Sequence, residues 1–266
     1  MTASYDFMTQ VEALDEVAQM GGSTAVLSVG IAPGLTNLLA RYAQSRFDQL
    51  EHLDIHLLLG LGEKHGEAAV RWMVENMNAD FTVMENGMKK PVRSFADGVQ
   101  TRFPGKLGRR TTYRFDFSDQ HVLPRTLTIP SVSMRIAFDS ALITNFMAIA
   151  KKLGLFGLLR YRWAQDALVK LLMRLQFGSE LFVAQVDGHG VVSGKQKSGS
   201  FAVVGEREAR FTGLVAAQVA EGLMTAVYSS GVFHIEQLFE PLLFIEALAI
   251  YGLEFRHMRV SEKVLT

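Results

Sequence analysis

A glycine–proline turn lies between two apolar runs, in Val26-Leu27-Ser28-Val29-Gly30-Ile31-Ala32-Pro33-Gly34-Leu35-Thr36-Asn37-Leu38-Leu39-Ala40. Glycine lets backbone approach a ligand closely, and a helix start presents free N–H groups and a positive dipole end. A nicotinamide, a ribose or a carboxylate suits such a place. Gly30, Pro33, Gly34 and Asn37 are therefore the candidate cofactor-binding residues. The competing reading is a strand–helix turn that needs glycine for geometry alone.

Gly60-x-Gly62-x-x-x-Gly66 also follows a predicted strand and opens a predicted helix, and Glu85 falls 23 residues after Gly62. This imitates a dinucleotide fingerprint, whose acid binds a ribose hydroxyl. It is one residue longer than Gly-x-Gly-x-x-Gly, so a plain turn is favoured. His65, inside that turn, is the candidate for substrate contact or proton relay. Tyr5 and Asp6 are residue types that orient a substrate amine or move a proton. Their place beside the N-terminus makes a frayed end the competing reading. His52 and His56 are four apart on a predicted strand, where that spacing is not helical metal-ligand geometry. No metal constellation is expected. No Gly-x-Ser-x-Gly elbow occurs, which argues against a serine hydrolase.

These residues need elements to hold them. Helices are predicted at 11–20, 35–47, 67–77, 211–229 and 241–252. Short strands are predicted at 25–29, 53–59, 81–85, 111–117 and 232–237. Val132 to Phe138 alternates as a half-buried strand does. Leu181–Val186 and Ser200–Val204 form a hairpin joined by a glycine-rich stretch. Residues 141–177 are mostly helical, with a break near Gly154 or Gly157. That stretch carries Lys151, Lys152, Arg160, Arg162, Lys170 and Arg174 against Asp166 alone, beside an apolar face. Such a helix packs in a core or dimer, or lies on an anionic membrane. The arginine run through 93–125 reads as a solvated face. An α/β architecture, mixed α+β in detail, follows from this order of elements.

Acidic and basic residues balance at 27 each, so net charge offers no argument for nucleic acid. The absence of cysteine excludes disulfides and thiolate chemistry. The N-terminal residues lack a secretory pattern, and a cytoplasmic location is expected.

Gly30 to Ala40 resembles the G-x-x-P-G-[LI]-x-x-x-L-A stretch of the saccharopine dehydrogenase-like oxidoreductases. Gly62-Glu63-Lys64-His65-Gly66 is similar to a Gly-Glu-x-His-Gly element that follows in that family, and Tyr5-Asp6 to a Tyr/Asp pair that ends the preceding strand. The resemblance implies an NAD or NADP cofactor and a small amino-acid-type substrate. It also implies the tail of a Rossmann-like sheet followed by a mixed-sheet substrate domain with covering helices. The corresponding divisions are 1–48 as a Rossmann-like remnant, 49–210 as substrate domain, and 211–266 as helices returning to the first part. Because no Gly-x-Gly-x-x-Gly follows an N-terminal strand, the chain is expected to be the substrate/catalytic portion of such an enzyme. The alternative is a non-catalytic relative that uses helix 141–177 at a membrane or a partner. A homodimer is a further expected partner state.

Overall fold

The computed structural model describes residues 4–174 and 178–262. Helices α1 (Tyr5–Glu12) and α2 (Asp15–Met20) precede strand β1 (Thr24–Leu27). After the glycine–proline turn come α3 (Thr36–Gln44), β2 (Gln49–Leu59), α4 (Glu67–Asn76), β3 (Asp80–Glu85) and β4 (Met88–Arg93). Next are β5 (Val99–Phe103), β6 (Gly108–Arg114), α5 (Asp119–Thr126), β7 (Ser131–Phe138), α6 (Ala141–Lys152) and α7 (Arg162–Arg174). The chain continues through β8 (Leu181–Val192), β9 (Lys195–Glu206), α8 (Glu208–Thr225), β10 (Gly231–His234), α9 (Ile235–Leu238), α10 (Pro241–Ala247) and β11 (Glu254–Glu262).

The fold is α/β. A nine-stranded mixed sheet runs β11-β9-β8-β2-β7-β3-β4, with β6 also pairing β7 and β5 pairing β6. Its centre is β2, parallel to β7 and antiparallel to β8. Strand side chains alternate between faces. Leu53, Ile55 and Leu57 thus enter the main core, with α3 residues Leu38 and Leu39 in the same cluster. His52, Asp54 and His56 project to the opposite face. A separate two-stranded sheet pairs β1 with β10 in parallel, Leu27 opposite His234.

Several expectations are corrected. Residues 11–20 do not form one helix: α1 ends at Glu12 and α2 begins at Asp15. Tyr5 and Asp6 lie in the first turn of α1, not at a strand end. Every residue of β7 is buried, because strands flank it on both sides and the β5–β6 hairpin packs beside it. The glycine-rich stretch after Asp187 is strand, and the hairpin turns at Ser193 and Gly194, both at positive φ. Gly190 suits the strand because a Cβ there would stand 2.1 Å from the Gln49 carbonyl oxygen. Of the expected strand 232–237 only 232–234 is extended, within β10, and α9 takes the rest. Gly154 breaks the 141–177 stretch with φ 77, and residues 175–177 lie outside the described residues.

The Gly60–Gly66 turn has a structural explanation. Gly60 and Gly62 donate N–H groups to the carbonyls of Leu181 and Ser179. A Cβ on Gly60 would fall 2.1 Å from the Ser179 oxygen. Both glycines thus serve backbone-to-backbone contact. Glu85 instead pairs with Lys90 at 2.8 Å. Gly60→Ala is expected to destabilise the fold by about 3 kcal/mol, the scale of a core overpacking. A urea denaturation midpoint equal to that of the unsubstituted chain would show that the two segments can separate without loss.

Candidate functional site

Parallel strands deliver their carboxyl ends to one place, and open α/β sheets bind ligands beyond such ends. Here β1 delivers Ser28 and β10 delivers His234. Ser28 takes φ 56, a left-handed conformation costly for a residue with a Cβ. Ser28 Oγ lies 2.8 Å from His234 Nδ1, and His234 Nε2 lies 2.7 Å from Glu12 Oε1. Arg125 donates to both oxygens of Glu12, at 2.8 and 3.1 Å. Burial opposes ionisation of Glu12, but the hydrogen bonds from Arg125 and His234 outweigh it and hold the carboxyl below its ordinary value. The tautomer of His234 that carries its proton on Nε2 donates to Glu12 and can accept the Ser28 hydroxyl at Nδ1. This is the connectivity of a proton relay.

The glycine–proline turn follows directly. Gly34 has φ 143, and a Cβ there would stand 3.1 Å from the Ser28 carbonyl oxygen. Its N–H donates to Asn37 Oδ1 at 3.0 Å, while Leu35 N–H donates to the Gly30 carbonyl. The turn's own donors at Gly34 and Leu35 are thus consumed. Asn37 is fully buried, and its Nδ2 has no hydrogen-bond partner among the described residues. Thr36 Oγ1 sits 2.8 Å from Asp119 Oδ2 and 3.2 Å from the Ile31 carbonyl. Asp119 is fully buried, and burial raises its pKa to about 6 against the pull of the Thr36 hydroxyl. Protonated Asp119 can donate to Thr36, which then donates to Ile31. These groups suit a small oxygen acceptor, such as a carboxamide or carboxylate. They offer no N–H cradle to a pyrophosphate.

A second polar array covers the face of the large sheet opposite the main core. In register across four strands stand Ser133, Asp54, Asp187 and Ser200. Ser133 donates to Asp54 and Ser200 to Asp187. His52 Nε2 is 3.0 Å from Asp54, and His56 Nε2 is 3.4 Å from Asp187. The threonine hydroxyls of β5 and β6, Thr101 and Thr112, both stand 3.1 Å from His56 Nδ1. Burial resists the charge on Asp54, yet the His52 hydrogen bond and the nearby imidazoles depress its pKa far below the ordinary value. Asp187 is lowered in the same way, by His56 and Ser200. Arg135, buried beside them, leaves its Nε without a hydrogen-bond partner, as does Gln185 its Oε1. The face therefore offers both anionic and cationic groups, with the side chains of His52, Asp54 and Asp187 40, 21 and 26% exposed.

The other candidates fall nearby. Tyr5 stacks on His121, with ring centroids 4.7 Å apart, and Arg125 lies over its ring, so Tyr5 borders the Glu12 relay. Asp6 is exposed at the helix start. His65 Nδ1 is 3.3 Å from Glu208 Oε2. Glu63, His65 and Glu208 bring three ligand-type atoms within 4.8 Å of one another. Both Glu63 oxygens, however, already accept the first N–H groups of α8, so the group reads as a helix cap. One helical turn beyond Glu208, Thr212 faces Gly30. His65 and the glycine–proline turn thus adjoin the same end of α8.

Sequence reasoning did not single out Glu12, Ser28, Asp119 or His234 as site residues. Their partners lie 83 to 222 residues away, so no local spacing marks them. The alternation of His52, Asp54 and His56 on one strand was the available signal for the sheet face.

Asp119 yields a pH prediction. Its folded pKa exceeds the unfolded value, so the folded state binds the proton more tightly. Its contribution is greatest below about pH 4 and is lost as pH rises through about 6. Asp119→Asn should remove this loss. The variant's stability relative to the unsubstituted chain should rise by up to about 3 kcal/mol between pH 4 and 7. Paired denaturant titrations across that range check it; a pH-independent difference would reject the assignment. In comparisons with known proteins, no family model matches this chain, and no curated protein matches it.

Proposed function

We propose that this chain is the substrate-binding portion of an NAD(P)-dependent oxidoreductase of the saccharopine dehydrogenase-like type, acting in the cytoplasm on a small amino-acid-type substrate. The observation that carries this reading is the convergence of Ser28, His234 and the Gly30–Gly34 turn at the carboxyl ends of two parallel strands. Hydride transfer at a C–N bond needs a group that takes or gives a proton, and the Ser28–His234–Glu12 chain has that connectivity. The nicotinamide cofactor would supply the hydride. The buried Asn37 amide suits its carboxamide oxygen. Pyrophosphate contacts would have to come from outside these residues. Strand β1 pairs only with β10 among the described residues, which suits extension of this small sheet by further strands.

The face of the large sheet supports the substrate class. An amino acid carries an ammonium and at least one carboxylate. Asp54 and Asp187 match the first, and Arg135 with the imidazoles matches the second.

Saturation-transfer NMR with nicotinamide mononucleotide and L-glutamate as probes tests both halves. Transfer to both is expected at about 5 mM, where even millimolar affinity is populated. Asn37→Ala should weaken the nucleotide signal alone, and Asp187→Asn the glutamate signal alone. Absence of transfer to either probe would overturn the reading.

A further inference from the structure

Helix α6 is apolar on both sides. Thr144 and Ala150 are buried, while Leu142, Phe146, Ile149 and Leu153 are 83, 67, 56 and 71% exposed. The outward four recur at i, i+4, i+7 and i+11, which is one continuous helical stripe. Exposure continues through Leu155 and Leu158 to Trp163, which stacks with Tyr161 at 6.5 Å. Folded chains seldom leave so much contiguous apolar surface to water. No described segment of the chain covers these side chains.

Charge says what does. Lys152, Arg160, Arg162, Lys170 and Arg174 are exposed along the same elements. The single acid among residues 141–174 is Asp166, which is tied to Arg71 at 2.6 Å. We propose that residues 142–163 form a docking surface for an anionic lipid bilayer, lying in the headgroup plane. Leucine and phenylalanine enter the acyl boundary, tryptophan and tyrosine sit at headgroup level, and long basic side chains reach the phosphates. A second copy of this chain is a poorer occupant, because it would set these cations against their own kind. Spanning is excluded on length for these elements: α6 has 12 residues, about 18 Å, against a hydrocarbon core of about 30 Å. None of the described helices is long and apolar enough to cross.

Vesicle flotation tests the proposal, using phosphatidylcholine with and without phosphatidylserine. The chain should float with the serine-lipid vesicles and not with phosphatidylcholine alone. Phe146→Glu with Leu153→Glu should abolish flotation without changing circular dichroism or melting temperature, since both side chains are already in water. Arg160→Gln with Arg162→Gln should weaken it by roughly tenfold or more, since each basic residue at such a surface contributes about fivefold. Equal binding to the uncharged vesicles, or flotation unchanged in both variants, overturns the proposal. So does failure to float together with a dimer in analytical ultracentrifugation that Phe146→Glu with Leu153→Glu dissociates, which would name a second copy as the occupant.

Discussion

The alternation of side chains along β2 is the constraint on which the rest of the molecule depends. With β7 on one side and β8 on the other, β2 has no freedom to shift. A one-residue slip would turn Leu53, Ile55 and Leu57 away from the core and drive Asp54 into it. Burying a carboxylate without partners costs several kcal/mol, and exposing three large aliphatic side chains forfeits a similar amount. The hydrophobic core and the polar face are two results of one register. They are enforced together.

The same economy governs the buried charges. Asp54, Asp187 and Glu12 are ionised because each has an imidazole within 3.4 Å, and a serine hydroxyl or guanidinium besides. Among the described residues Asp119 has only the Thr36 hydroxyl as a side-chain hydrogen-bond partner, and burial raises its pKa to about 6. Carboxyl groups of ordinary intrinsic acidity are thus spread across several pH units by their neighbours alone. Two kinds of site follow: a fixed electrostatic surface on the sheet, and a protonation-sensitive seam beneath the glycine–proline turn.

Much of the fold was legible where the signal is local. The strand, turn and helix around Gly34, the hairpin after Leu181, and the break at Gly154 follow from apolar runs punctuated by glycine. Helix α5 was not read, because Asp119-Gln120-His121-Val122-Leu123-Pro124-Arg125-Thr126 is polar and contains a proline. Its helicity is set by tertiary contacts, with Gln120 bonded to Phe115 and Met134 backbone and Thr126 to Glu236. β7 reads as half-buried because Ser131, Ser133 and Arg135 are polar, yet the sheet buries them with partners. Among the site residues, the glycine–proline turn was visible, whereas the Ser28–His234–Glu12 chain was not. Nothing within a short window of any of the three indicates the other two.

That separation also shapes how the molecule comes into being. The β1–β10 ladder joins Thr24 to Gly231 and Leu27 to His234, so β10 must emerge from the ribosome before the ladder can close. Closing so long a loop carries a large entropic cost and is slow compared with helix or hairpin formation. During synthesis the central sheet can assemble from 49–206 while Ser28 still waits for its histidine. In a nascent chain the Ser28–His234 contact therefore forms only after β10 has been made, later than the sheet strands that precede it.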